Sequence, residues 1–310
     1  MKIRNITFLL TIFMASIAAM SAKDAVFNVA TYNIRQLNDG DNRAGNGWQQ
    51  RAPIIAQLAL FHDFDIFGTQ EGFKQQLDDL KAAMPGYEYI GRGRDDGKNA
   101  GEHSAIFYRT DLFSLLDSGD FWLSETPDRP GLGWDAACVR ICTWGRFLHK
   151  PSGKQFLFYN LHMDHVGTTA RIESAKLIKQ KIHDLGRDLP VFVTGDFNVD
   201  QFSPSYATIT EGNTLVDAHS AASQVYELNG TFNNYSTDGY TTSRIDHIFV
   251  SPNIKVEKYG ILTDTYRTPA STADTQDAPN APSEIGITTV IPRTPPHHFP
   301  VQTPIHLPLL

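Results

Sequence analysis

Short apolar runs that stop on a chemically capable polar residue recur along this chain, and they limit its fold more than any other feature. Val26-Phe27-Asn28-Val29-Ala30-Thr31-Tyr32-Asn33 ends on Asn33, and Asp65-Ile66-Phe67-Gly68-Thr69-Gln70 ends on Glu71. Phe156 to Leu161 ends on His162, and Pro190-Val191-Phe192-Val193-Thr194 leads into Gly195-Asp196-Phe197-Asn198. A fifth cluster, Arg244-Ile245-Asp246-His247, precedes its run, Ile248-Phe249-Val250. Apolar runs of this length bounded by turn residues read as buried strands. In layered α/β folds, strand ends are where polar catalytic groups converge. Asp196 and Asn198, two residues apart, share a face of an extended chain.

Between these runs lie stretches with helical spacing. Trp48 to Phe61 repeats through Ile54, Ile55, Leu58 and Leu60; Phe73 to Ala83 is similar; Thr169 to Leu185 aligns Ile172, Ala175, Ile178 and Ile182. Ser104 to Tyr108 and Cys138 to Leu148 read as strands of an antiparallel layer. Helices alternate with strands, yet some strands follow one another without a crossover. That pattern predicts a mixed sheet, or two sheets packed face to face with helices outside. The 310 residues are 41% hydrophobic, with no internal repeat and no interior Gly/Ser linker, so one domain is expected. Pro269 to Pro282 reads as an exposed loop.

The amino terminus reads as an export signal over residues 1–22. Lys2 and Arg4 precede the apolar stretch Ile6 to Ile17, and small residues follow up to Ala22. The apolar run is short for a membrane span, so no stable membrane insertion is expected. The domain then occupies residues 23–310, in the periplasm or outside the cell. Cys138 and Cys142, if on one strand, sit about 13 Å apart. A disulfide tolerates about 7 Å, so both are expected as free thiols. A net charge of −7 disfavours polyanionic partners. Arg92-Gly93-Arg94-Asp95-Asp96-Gly97-Lys98 reads as a solvated loop, with a contact to a substrate phosphate as the alternative. Trp122, Trp134 and Trp144 flank the Pro- and Gly-rich segment Ser124 to Gly133 and read as packing of the second sheet, with a substrate-facing loop as the alternative.

The residues at the run ends suit phosphate-ester hydrolysis, which needs an activated water, a stabiliser for negative charge and help for the leaving oxygen. Glu71 is the best ligand for a hard cation, with Asn33 beside it. Asp196 fits a water-orienting or proton-accepting role, and Asn198 and His162 fit phosphate oxygens. Asp246 fits the carboxylate that fixes a histidine tautomer, with pairing to Arg244 as its structural alternative. Taken one at a time, each has an equally good structural role as a turn, cap or ion-pair residue.

Five ordered clusters together change that balance. Thr31-Tyr32-Asn33-Ile34-Arg35, Gln70-Glu71, Asn160-Leu161-His162-Met163-Asp164, Gly195-Asp196-Phe197-Asn198 and Arg244-Ile245-Asp246-His247 resemble the motifs of the endonuclease/exonuclease/phosphatase superfamily, in the same order. Within it the chain is most similar to exported bacterial members related to the deadenylase branch. The resemblance implies an α/β fold, a four-layer α/β sandwich of two packed mixed sheets flanked by helices. It implies dependence on Mg²⁺, with Mn²⁺ as the alternative. It assigns Asn33 and Glu71 to the metal, His162 and Asn198 to phosphate, Asp196 to the nucleophilic water and Asp246 to orienting the final histidine.

That histidine is His298. The family closes with Ser-Asp-His followed by an aromatic, Pro and Val, whereas this chain reads Pro296-His297-His298-Phe299-Pro300-Val301. His297 replaces a carboxylate, and imidazole suits softer cations than Mg²⁺. Pro304 and Pro308 are expected to interrupt the closing strand. The leading expectation is an exported divalent-metal phosphoesterase acting on a phosphorylated small molecule, nucleotide or lipid head group, with no protein partner inferred. A catalytically impaired phosphate-binding member and a secreted nuclease acting on nucleic acid are the alternatives.

Overall fold

The computed structural model describes residues 25–186, 188–269 and 290–308. The signal segment, and all of the Pro269–Pro282 loop but its first residue, lie outside the described residues. Two mixed sheets carry the architecture. The first is eight-stranded, in the order Gln224–Tyr226, Lys258–Ile261, Val301–Leu307, Ala25–Asn33, Ile66–Gln70, Ile106–Arg109, Tyr87–Ile90, with Lys255–Val256 also pairing onto Val301–Leu307. The second is six-stranded, in the order Phe113–Trp122, Ile141–His149, Lys154–His162, Val191–Asp196, Asp246–Val250, Val216–Asp217.

Each sheet contains a parallel pair that a helix must bridge. Trp48–Phe61 lies between Ala25–Asn33 and Ile66–Gln70 in the chain, and Thr168–Gly186 lies between Lys154–His162 and Val191–Asp196. Each helix packs its apolar stripe on the outer face of its own sheet. Ile55, Ala56, Leu58 and Ala59 meet Ala30, Tyr32 and Phe67 on one side. Ala175, Ile178 and Ile182 meet Leu161, Val193 and Phe249 on the other. Between the sheets lies an aromatic layer of Phe27, Phe113, Phe147, Phe156, Phe158 and Phe192, all buried. Burying one such ring is worth about 1.5–3 kcal/mol. Four layers, helix–sheet–sheet–helix, result.

The two-residue period of the strands then places the polar groups. Phe27 and Val29, Phe156 and Phe158, and Ile248 and Val250 fill the gap between the sheets. Continuing with the same period toward one end gives Thr31 and Asn33, Asn160 and His162, Thr194 and Asp196, and Asp246. The gap therefore changes from apolar to polar along its length. Asn160 stitches the sheets where it changes. Its Oδ1 accepts from Gln70 Nε2 at 2.7 Å and Thr194 Oγ1 at 3.1 Å, and its Nδ2 donates to the Thr69 and Ala105 carbonyls. Gly68 makes room for this contact, since a Cβ there would lie 2.1 Å from Asn160 Oδ1.

Three local expectations are corrected. Val301–Leu307 is a regular strand in the interior of the first sheet despite Pro304. The Asn28 N–H, opposite Pro304, is turned away toward Asp65 Oδ2. The proline nitrogen thus faces the far side, where the neighbouring strand breaks at Glu257 between Val256 and Lys258. A missing donor is tolerated at such an irregularity, and the Thr303 hydroxyl donates to the Lys258 carbonyl at 2.6 Å. Second, Cys138 precedes its strand, which begins at Ile141; both cysteines are free thiols, Cys142 buried and Cys138 half-buried. Third, Arg244 pairs with Asp217 at 2.9 Å rather than with Asp246.

Candidate active site

The strand registers bring the run-end residues together. His162 lies opposite Asp196 in the parallel pair, and Asp246 lies opposite Asp196 in the antiparallel one. Asn33 and Glu71 arrive from the facing sheet, and His297 and His298 from the loop entering Val301–Leu307. All eight residues, Asn198 included, are at least largely buried, and six of them line a cavity of ≈ 470 Å³. Glu71 (φ 65°), Asn198 (φ 51°) and the adjoining Arg35 (φ 59°) hold left-handed backbone. For Glu and Arg this costs about 1 kcal/mol or more and persists only where surroundings fix it.

Asp196 Oδ2 is the hub. It accepts from Asn33 Nδ2 at 2.9 Å and lies 3.5 Å from His162 Nε2 and 3.7 Å from His298 Nε2. Its other oxygen accepts the Asn198 N–H at 2.9 Å. Burial, reinforced by the nearby Asp246 charge, pushes the Asp196 carboxyl up to about 7. His298 Nδ1 donates to Asp246 Oδ2 at 2.7 Å. Burial opposes protonation of His298, but Asp246 and Asp196 outweigh it and push the imidazole up to about 9. Two groups poised near neutrality thus face each other across the cavity floor.

Asn33 uses its whole amide in the site. Nδ2 bridges Glu71 Oε1 and Asp196 Oδ2, both at 2.9 Å, while Oδ1 accepts the Arg35 N–H at 3.0 Å. The amide thus spaces the two carboxylates and turns its oxygen to the backbone. Asn198 likewise commits both amide hydrogens, to His162 Nε2 and the Met163 carbonyl, each at 2.9 Å. His162 Nε2 is then the acceptor and its proton sits on Nδ1, which is buried and unpartnered, 3.8 Å from Glu102 Oε2. Burial, with Arg140 and Arg94 adding to it, holds His162 neutral.

Glu71 is kept ionised. Burial works against its charge, but His297 and the Asn33 amide outweigh it, and Gln36 N–H and Arg35 Nη1 approach Oε2 at 3.2 and 3.7 Å. His297 Nε2 lies 3.3 Å from Glu71 Oε1, and burial first, then the His298 charge, lowers that imidazole to about 4. Ligand atoms of Glu71, His162 and Asp196 fall within 4.8 Å of one another, as do those of Glu71, His297 and His298. Carboxylate oxygens mixed with imidazole nitrogens fit a divalent cation, and the imidazoles favour Mn²⁺ over Mg²⁺ more than an all-oxygen set would.

The structure adds residues that sequence reasoning missed or set aside. Arg94, Glu102 and Arg140 also line the cavity, together with Cys138 and His165. Arg94 belongs to the stretch expected to be solvated, yet its side chain is largely buried and bonded to Glu102 at 2.6 Å; Arg92 is exposed, as expected. Trp122 packs there and donates Nε1–H to the Arg94 carbonyl. His247 is structural: buried, with Nε2 against the Val199 carbonyl at 3.1 Å.

With that geometry in view, likeness to known proteins carries weight. A sequence profile described as the Endonuclease/Exonuclease/phosphatase family matches residues 30–265. A solved structure of a protein of that family from Bacteroides thetaiotaomicron is 52% identical, covering 93% of this chain and 100% of the other, at a TM-score of 0.85. A mannosyl-6-phosphatase from the same organism is 53% identical, covering 90% and 99%, at a TM-score of 0.83. An uncharacterized protein of Acanthamoeba polyphaga mimivirus is 29% identical over 163 residues, 49% of this chain; the match spans 60% of that viral relative.

Proposed function

The chain belongs to the endonuclease/exonuclease/phosphatase family, and we propose that it is an exported phosphomonoesterase that removes the 6-phosphate of a hexose. The carrying observation is the convergence of two buried carboxylates, Glu71 and Asp196, with His298 on one cavity of ≈ 470 Å³, and of a third, Asp246, bonded to His298 from behind it. That volume is in the range of small-molecule sites. The 53% identity to a mannosyl-6-phosphatase over 90% of the chain supports the sugar phosphate. The basic, apolar and small-residue order of the first 22 residues supports export. Among the described residues no helix is long and apolar enough to cross a membrane.

Glu71 would hold a divalent cation, with Asp196 and the imidazole of His297 in reach. Such a cation supplies charge neutralisation at the phosphate. The chain's own residues do the rest. Asp196 accepts a proton from the attacking water as its oxygen bonds to phosphorus. The bond from phosphorus to the sugar oxygen breaks, and that oxygen takes a proton from solvent, to which Asp196 returns the one it accepted. His298, held by Asp246, donates from Nε2 to the phosphoryl oxygens, whose charge grows in the crowded state. Asn33 keeps the two carboxylates apart and fixed.

Hydrolysis of mannose 6-phosphate, p-nitrophenyl phosphate and bis-(p-nitrophenyl) phosphate, each with EDTA, Mg²⁺ or Mn²⁺, tests this reading. Metal-dependent release from both monoesters and little from the diester is expected. A diester preference, or no release from a folded protein under any condition, overturns it.

A further inference from the structure

Resting on that reading, we propose that Arg94, Glu102 and Arg140 form a sugar-hydroxyl subsite that selects the alcohol part of the substrate. The three side chains line the cavity, and Glu102 Oε2 lies 3.8 Å from His162 Nδ1. They come from separate places. Arg94 and Glu102 sit on the loop 91–103, and Arg140 precedes the strand Ile141–His149. The loop is not loose. The Arg94 and Asp95 N–H groups donate to the Glu102 and Ala100 carbonyls, and Lys98 N–H donates to Asp96 Oδ1. Bridges from His103 to Gly93 and Gly72 tie it to the turn that carries Glu71. Wall and reaction centre are therefore held by one backbone connection.

The charges on this wall balance. Arg94 Nη1 is 2.6 Å from Glu102 Oε2, and Arg140 Nε is 3.5 Å from Asp164 Oδ2. A wall of paired charges does not attract a second phosphate. It does offer fixed donors and acceptors, which is what neutral hydroxyl groups need. Arg140 is fixed from two sides: its buried Nε faces Asp164 beyond hydrogen-bond length, and Nη2 is 3.1 Å from His165 Nδ1, so the guanidinium is held at the cavity wall. The geometry also sets the distance. His162 touches the hub Asp196 with Nε2 and approaches Glu102 with Nδ1, so one imidazole ring separates the phosphate side from the wall. The sugar ring of a hexose 6-phosphate, joined through one CH₂, spans such a gap.

Values of kcat/KM for mannose 6-phosphate, 2-deoxyglucose 6-phosphate and p-nitrophenyl phosphate, measured on the full chain, decide the matter. In Arg94→Gln and in Arg140→Gln, the ratio of mannose 6-phosphate to p-nitrophenyl phosphate should fall at least about tenfold, because unpaired polar groups at a recognition site discriminate strongly. Equal falls for both substrates would assign the arginines to phosphate binding or to the fold and overturn the proposal. Should neither variant fold, the wild-type protein alone suffices. It should prefer mannose 6-phosphate over the 2-deoxy sugar by about tenfold, and a flat series overturns the proposal. Wild type that cleaves no monoester at all sinks the phosphomonoesterase reading itself, a failure distinct from hydrolysis without hydroxyl selection.

Discussion

His297 Nε2 stands 3.3 Å from Glu71 Oε1, an imidazole where the family motif has a carboxylate. Burial keeps that imidazole neutral at ordinary pH. A neutral ring beside Glu71 adds no negative charge to a site that already holds Asp196 and Asp246. His297→Asp would add one. The expected outcome is a rise in the ratio of Mg²⁺- to Mn²⁺-supported hydrolysis of p-nitrophenyl phosphate, because Mg²⁺ prefers oxygen ligands. A ratio unchanged from wild type would show that position 297 does not set metal preference.

Glu71→Gln keeps the shape of the side chain and removes its charge. The Asn33 amide bonds Oε1 and the Gln36 N–H bonds Oε2, so the single carbonyl oxygen of the glutamine keeps one of these two bonds. The melting temperature should therefore move by a few degrees at most, while metal-dependent turnover of p-nitrophenyl phosphate should fall by about 100-fold or more, the scale of losing a group that acts on developing charge. Turnover within threefold of wild type would remove Glu71 from the metal site.

These tests rest on residues the sequence exposed, and the physical reason is locality. Asn33, Glu71, His162, Asp196 and Asp246 sit at the polar ends of apolar runs, so a two-residue period and a run boundary suffice to find them. Arg94, Glu102 and Arg140 left no such mark. Their approach depends on the path of the loop 91–103, which is set by bridges to Gly72 and Gly93 that couple distant segments. A basic, glycine-containing stretch reads as solvated until that path is known. The closing strand was misjudged for a similar reason. Pro304 forbids a regular ladder in isolation, but the break at Glu257 on the neighbouring strand absorbs the missing donor. The roles of Asn33 and Asn198 depend on which way each amide turns, and only their neighbours fix that.

Asp196→Asn and Asp246→Asn separate two contributions to proton transfer. The first removes the acceptor at the hub and should lower kcat by about 10²–10⁴-fold. The second leaves Asp196 in place but takes away the charge that holds His298 Nδ1–H at 2.7 Å. His298 should then titrate lower, since Asp246 is the largest influence raising it against burial. In Asp246→Asn the alkaline limb of the kcat profile, which reports loss of the His298 proton, should move to lower pH. An alkaline limb that stays in place would mean another group controls it.

Asp217 supports the site from behind, and its removal should be felt as instability. Its Oδ2 accepts from Arg244 Nη1 at 2.9 Å and the Tyr206 hydroxyl at 2.8 Å, and Oδ1 accepts the His219 N–H. Burial disfavours the charge, but His247, Arg244 and the His219 N–H outweigh it and hold the carboxyl well below the usual range. The sign follows directly. A carboxyl whose folded value lies below its unfolded value binds fewer protons when folded, so its contribution is present above about pH 4 and is lost as pH falls below it. Asp217→Asn leaves the buried Arg244 with only Glu227, 3.6 Å from its Nε, and should cost up to about 3 kcal/mol at neutral pH. Urea unfolding of the two proteins at pH 7 and at pH 3.5 checks both parts. The gap between them should narrow at the lower pH, and a gap that is constant or widens would show that the Asp217 charge is not what the fold depends on.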